Sequence, residues 1–342
     1  MVSPWEGLGV ALVTFIAVTI CLALVRPFLA NRQLVDVPNF RSSHTQPTVR
    51  GGGLGIAAGL LFGLGFGALR LAGSGAEIAS MAAVGLTVSA LAVVGFAEDV
   101  RGLRVGVRLI SQALTIGITT AVFLLMTGLS VTLAVLVGLA GVFYVNAANF
   151  MDGVNGISGV HGAVVGAYFA VVGYISNDPG LMLTAIAVAV AFLSFLPWNA
   201  PRARMFMGDV GSYALGGAAW ALAACALVLG VPPLTVAAPL LVYSADVAFT
   251  LVRRAMRGAP LTQAHHEHVY QRLMEITRSH GAATGGATMA TILCAAIGLW
   301  SLFVPGATAW AIGCLPVVLS LYLISPRFMA RRKSLISSAA SR

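Results

Sequence analysis

The stretch from Val131 to Gly156, VTLAVLVGLAGVFYVNAANFMDGVNG, decides the fold. It opens with an uncharged apolar run of the kind that enters a bilayer, where a spanning helix needs about twenty such residues. It closes on Asn146, Asn149 and Asp152, which recur at i, i+3 and i+6 and share one face of a helix. Asn155 continues the spacing, while Gly153 and Gly156 break the helix there. Amides and a carboxylate at the mouth of an apolar segment are costly to hold in lipid. They can satisfy one another at a helix end, but such clusters more often mark a site.

The whole chain repeats this theme. It has 342 residues, of which 58% are hydrophobic and 9% charged, against about 25% charged in a soluble domain. The implied fold class is an all-α, polytopic membrane protein forming a single transmembrane domain over 1–342 with a basic tail at 326–342. The alternating polarity of barrel strands is absent. Eleven apolar segments long enough to span lie near 7–30, 52–72, 78–97, 106–126, 130–150, 157–176, 180–197, 211–230, 233–252, 283–304 and 307–325. The first lacks a basic leader and a small-residue cleavage pattern, and reads as a retained span. Cys21, Cys225, Cys294 and Cys314 sit inside apolar runs without metal spacing and read as buried thiols.

Charge orients the bundle. Connections after even-numbered segments are short and hold only Arg70 of the 20 Lys and Arg residues. Connections after odd-numbered segments are longer and Arg-rich. The positive-inside rule then puts the N-terminus outside, and the odd connections and C-terminus in the cytoplasm. The net charge of +9 follows from those loops and does not indicate nucleic-acid binding. Glu98, Asp99, Asp152, Asp209, Glu267 and most histidines fall on the cytoplasmic face. Asp246 lies within the ninth span, and His161 reads as a packed helix residue.

Five connections on that face carry the chemistry. RSSHTQPTVRGGG (Arg41–Gly53) offers Arg41, His44 and Arg50 as cations, then glycines whose amides can approach an anion. Glu98 and Asp99 end the third span, where the helix dipole opposes them unless Arg101 and Arg104, or a proton-accepting task, compensate. The opening stretch is the third. WNAPRARMFMGDVGS (Trp198–Ser212) sets Asp209 between Gly208 and Gly211 at a helix start, where an N-cap is the plainer role. AHHEHVYQRL (Ala264–Leu273) carries His265, His266, His268 and Arg272. Its His-x-x-His lacks further ligands for tetrahedral zinc. Scattered acids beside phosphate-binding cations suit Mg²⁺, which keeps waters and takes few protein ligands.

In order and spacing these loops resemble the polyprenyl-phosphate N-acetylhexosamine-1-phosphate transferases, glycosyltransferase family 4, over nearly the whole chain. The eleven spans and the His265–Leu273 pattern look like the O-antigen-initiating branch. The resemblance implies transfer of an amino-sugar 1-phosphate from a UDP-sugar to undecaprenyl phosphate at the cytoplasmic face of a bacterial inner membrane, with release of UMP. It implies Mg²⁺, or Mn²⁺ in its place, held by Asp209 and Asp99. Catalytic roles fall on Asp99, Glu98, Asp209 and His268. Asp152, Asn199 and Phe206 would hold uridine, with Asn149, Asn155, His44, Arg50, His265 and Arg272 completing the donor site. Glu98 and Asn155 depart from the family's Asp at those positions. The expected partners are the UDP-amino sugar, undecaprenyl phosphate and the bilayer, with a homodimer as an open option and no nucleic acid. The other readings are a transporter, in which Asp246 and Asn146 line a path, and a lipid-phosphate hydrolase.

Overall fold

The computed structural model describes residues 4–38, 46–71, 75–128, 130–260, 263, 265–304 and 306–340. Among these, eleven helical segments are long and apolar enough to cross a membrane, so the chain is a multi-pass membrane protein. In chain order the helices are α1 (Pro4–Asn31), α2 (Gly53–Arg70), α3 (Gly75–Arg101), α4 (Val105–Thr127), α5 (Val131–Met151), α6 (Ile157–Ile175), α7 (Pro179–Asn199) and α8 (Gly208–Val228), then the short α9 (Pro233–Ala237), α10 (Leu241–Met256), α11 (Val269–Thr277), α12 (His280–Phe303) and α13 (Ala307–Ala340).

Helix α8 is the axis of the bundle. Almost all of its side chains are buried, and most are Ala or Gly. Small residues let neighbouring backbones close in where no hydrophobic drive exists between helices in lipid. Helices α3 and α5 pack against it, as do α2 and α6. A Cβ on Gly53 of α2 would lie 2.2 Å from Gly211 of α8, so the two backbones touch. Helices α1, α4 and α13 instead turn Leu24, Leu114 and Leu321 outward, as a lipid-facing shell does. Helix starts are fixed locally: Ser130, Asp178 and Ser279 accept from the amides of Leu133, Leu181 and Ala282. His161 is buried, 2.7 Å from the Tyr144 hydroxyl and stacked on Tyr243.

Three features differ from the sequence expectation. The ninth span is not one helix but α9 and α10 joined by a 3₁₀ turn at Ala238–Leu240, where Pro239 removes an amide donor. The basic tail is a continuation of α13 as far as Ala340. The all-helical bundle also carries a small sheet: β1 (Val35–Asp36) pairs antiparallel with β2 (Thr48–Arg50), and β2 pairs parallel with β3 (Met205–Phe206). The register sets Val49 beside Met205 and Arg50 beside Phe206. The sheet joins the first connection to the one before α8 and so carries Arg50 to the start of that helix.

Candidate active site

Arg50 bridges two carboxylates. Its Nε lies 2.6 Å from Asp99 Oδ1 and its Nη2 lies 2.8 Å from Asp209 Oδ2. Burial works against its charge, but Asp209 and Asp99 outweigh burial and its pKa goes up. Asp99 also accepts from the amides of Asp209 and Val210, at 3.0 Å each. It therefore caps α8 from the end of α3, countering the positive end of that helix dipole. The approach requires Gly208, whose φ is +75° and whose added Cβ would lie 2.5 Å from Asp99 Oδ2. Asn149 donates to Asp209 Oδ1 at 2.6 Å and to the Ser212 hydroxyl at 3.0 Å. Four elements, β2, α3, α5 and α8, thus meet at one carboxylate pair.

The two carboxylates differ in what they have left to offer. A carboxylate has about four acceptor positions. Asp209 uses one for Arg50 and one for Asn149, and its side chain is 17% exposed. Asp99 uses three and is 3% exposed. Among the described residues no three His, Cys, Asp or Glu side chains converge as a metal cage. Mg²⁺ commonly takes one or two carboxylates plus substrate phosphates and water. Asp209 fits that role. Asp99 fits the role of fixing Asp209 and the start of α8.

The remaining candidates line up around this pair. Asp152 caps α5 within electrostatic reach of Asp209, Arg50 and Asp99. Burial, opposed by Ser158 and reinforced by Asp209, raises its pKa to about 6. Asn199 is turned inward: its Oδ1 accepts from Gly156 N–H at 2.6 Å, and its Nδ2 donates to Met205 C=O at 3.1 Å. It ties the α5–α6 loop to β3 with both ends of its amide. Asn155 likewise braces this loop, donating to Pro201 C=O while its own carbonyl accepts from Thr284. Phe206 is half-buried on β3 beside Arg50. Glu98 does not pair with Arg101 or Arg104, as the sequence allowed. It accepts from Leu103 N–H at 2.7 Å and meets Arg108 at 3.2 Å. His44, with Arg41, Ser42 and Ser43, lies outside the described residues.

A second cluster stands beside the first. His268 caps α11 and is 2% exposed. Its Nδ1 lies 3.1 Å from Asp246 Oδ1, leaving Nε2 as the nitrogen to meet a ligand. Asp246 is fully buried and also accepts from the amides of Val269 and Tyr270 and from the hydroxyl of Tyr322. Tyr270 donates to Phe150 C=O at 2.9 Å, and Phe150 stacks near the His268 ring, which anchors α11 on the end of α5. His265 lies 5.0 Å from His268, ring to ring; burial first, then His268, lowers its pKa to about 4. It is neutral near pH 7 and offers a hydrogen bond, not a charge. Glu267 collects Arg253, Arg254 and Arg257, and Arg272 lies within electrostatic reach of Arg253. The sequence placed Asp246 inside the ninth span without giving it a role in the transferase site, and it passed over Arg108. Each had one signal, an ionisable residue inside an apolar span.

Residues 81–228, which hold Glu98, Asp99, the opening stretch and Asp209, match the family model of glycosyl transferase family 4. Over part of its length the chain is similar to curated transferases. It is 39% identical over 103 residues to phospho-N-acetylmuramoyl-pentapeptide-transferase of Clostridium botulinum, covering 27% of this chain and 31% of that protein. It is 32% identical over 189 residues to decaprenyl-phosphate N-acetylglucosaminephosphotransferase of Mycolicibacterium smegmatis, covering 49% and 45%. The chain therefore spans less than half the length of these relatives. The first of them is named for transfer of a phospho-N-acetylmuramoyl-pentapeptide and the second for transfer of N-acetylglucosamine phosphate to decaprenyl phosphate. Neither name mentions O-antigen.

Proposed function

We propose that the protein transfers an N-acetylated amino-sugar 1-phosphate from a UDP-sugar to undecaprenyl phosphate, releasing UMP, and so starts a lipid-linked surface polysaccharide such as O-antigen. The observation that carries this reading is the Arg50–Asp99–Asp209–Asn149 cluster at one end of the bundle. It joins a cation and an open carboxylate at the mouth of the membrane, where a charged nucleotide and a lipid phosphate can meet.

Phosphoryl transfer asks the protein mainly for positioning and charge neutralisation. Arg50, held between two carboxylates, presents its remaining N–H donors to phosphate oxygens. Asn149 and Asp99 fix the rotamer and backbone of Asp209. Mg²⁺ held by Asp209 would supply Lewis-acid neutralisation of the diphosphate. His268, oriented by Asp246, offers Nε2 to a phosphate. Phe206 and Asp152 take the uridine, by stacking and hydrogen bonding, behind a loop that Asn199 and Asn155 brace. The lipid phosphate has a second pKa of about 6 and is largely dianionic at pH 7, so it can attack without a strong base. The proposed orientation has this end of the bundle in the cytoplasm and the N-terminus outside.

The test is mass spectrometry of lipids formed by purified protein from undecaprenyl phosphate and UDP-GlcNAc, UDP-QuiNAc or UDP-FucNAc. A transferase gives a lipid diphosphate sugar and UMP with one of them. Release of UMP without lipid acceptor would mean a hydrolase, and no chemistry with any sugar would favour a transporter. Labelled UMP should return to the UDP-sugar when product lipid is present. Exchange that persists in delipidated protein would replace direct attack with a covalent intermediate.

A further inference from the structure

The histidine of the second cluster stands at the start of a helix too short to hold itself. Helix α11 has 9 residues, and an isolated helix shorter than about 12–15 residues is marginal in water. What it packs on therefore sets its position, and it packs on α12 and α13. At its first turn the amides of Val269 and Tyr270 and the Nδ1 of His268 all meet the Asp246 carboxylate. The rings of Phe150 and Tyr270 flank His268 and limit its tilt. Asp246, by accepting at Nδ1, decides which nitrogen faces the site.

The second oxygen of Asp246 is held from the last span. Asp246 Oδ2 accepts from the Tyr322 hydroxyl of α13 at 2.8 Å and from the Tyr270 amide at 3.3 Å, so the tyrosine makes the closer contact. Both Tyr322 and Asp246 are buried. Helix α13 is adapted at this point. Pro326 has no N–H to give Tyr322 C=O, four residues back, and the Ser325 hydroxyl donates to that carbonyl instead, at 2.7 Å. Beyond the proline α13 outruns the bilayer, with 34 residues against the roughly twenty a span needs. There Lys333 donates to Ile276 C=O at 3.0 Å, in the last turn of α11, where a cation also complements the helix dipole. Tyr322 and Lys333 are separated by about 16 Å of helix, and α11 is about 13 Å long. One helix thus clasps the other at both ends.

We propose that α13 serves the site as well as the membrane: Tyr322 is a positioning residue that acts through Asp246 to hold His268 with Nε2 toward the reacting phosphate, and Lys333 fixes the far end of the same short helix. The identity of the phosphate rests on the transferase reading; the clasp does not. Without the Tyr322 hydroxyl, Asp246 Oδ2 keeps one long contact, the carboxylate can turn, and the His268 ring is no longer held at one angle to the site. A loss of positioning of this kind falls on the chemical step more than on substrate binding.

The test uses full-length protein in detergent, with nitrogen-15-labelled histidine and no substrate. Among the signals of the six histidines, that of His268 is the one lost in His268→Gln. Its Nδ1–H proton, held on a buried carboxylate, should be visible and slow to exchange, and in Tyr322→Phe it should exchange with water about tenfold faster. The same variant should lower kcat about tenfold and leave the KM of both substrates nearly unchanged. Leu315→Ala removes a buried side chain from the same helix. It should lower the melting temperature at least as far, yet keep both the Nδ1–H signal and kcat. Lys333→Ala should speed amide exchange over the last turn of α11. If Tyr322→Phe does not fold, fluorotyrosine in place of Tyr322 keeps the ring and changes the strength of the donor, and the His268 signal must move with it. A signal unmoved by either change at Tyr322 would overturn the proposal. So would an equal loss of kcat in Leu315→Ala, which would reduce α13 to packing. Unchanged exchange in Lys333→Ala would remove the second end of the clasp. Because the signal is read without turnover, a Tyr322 effect on it with no product from any UDP-sugar would sink the transferase reading alone. Normal product with an unmoved signal would sink the clasp alone.

Discussion

Asp152 and Asp246 show how differently two acids at the same membrane face are treated. Asp152 has few donors around it and two acidic neighbours, and its pKa rises to about 6 from burial, opposed by Ser158 and reinforced by Asp209. A folded-state pKa above the unfolded value of about 3.9 means that the native state holds the proton longer. Stability is then lost as pH rises from about 4 through 6 and stays lower above that. Asp152→Asn should therefore raise the melting temperature at pH 7.5 and leave it nearly unchanged at pH 4. A melting curve in detergent at both values checks this, and equal shifts at the two would exclude it. Asp246, by contrast, is surrounded by donors from α10, α11 and α13. Asp246→Asn turns a donor toward donors, and each buried group left unmatched costs about 1–3 kcal/mol. Tyr322→Phe removes one donor and should cost about 0.5–1.5 kcal/mol. Denaturation of both variants, with turnover measured where the fold survives, should show the larger loss for Asp246→Asn. The acid inside an apolar span was readable from the chain. Its five donors were not, because they come from three segments up to 76 positions away.

At the scale of elements, the spans were legible and their joints were not. Twenty apolar residues make a helix in lipid whatever their neighbours do, because the backbone has no other donors there. The start of α8 depends instead on a fit between α3 and a two-residue strand, and segments that short carry no periodicity to read. Asn199 and Asn155 illustrate the same limit. Their amides read as ligand-binding groups, yet each is used to tie loops that lie 40 or more positions apart. The fit makes a sharp prediction. Gly208→Ala would force a left-handed residue and set a Cβ 2.5 Å from Asp99 Oδ2. It should abolish turnover and lower thermal stability by about 1–3 kcal/mol. Gly65→Ala, in a helical stretch where an added Cβ meets nothing within 4 Å, should do neither. Comparable losses in both would show that the α3–α8 contact is not what Gly208 serves.

For the molecule as a whole, the site sits where one end of the bundle gathers the ends of α3, α5, α7 and α8. The distribution of basic residues predicts that this end faces the cytoplasm. A fluorescent reporter that folds only in the cytoplasm should light up when fused after Arg342, and alkaline phosphatase at the same point should stay inactive. The reverse pattern would invert the topology. The parallel pairing of β2 with β3 has a further consequence, for biogenesis. Arg50 leaves the ribosome early, but its strand partner Phe206 and its counter-charge Asp209 follow more than 150 residues later. At about 5–20 residues per second that interval is roughly 10–30 s. Through that interval the nascent chain has six further spans to insert and no assembled centre, so a chain ended before α8 would be membrane-bound but chemically silent.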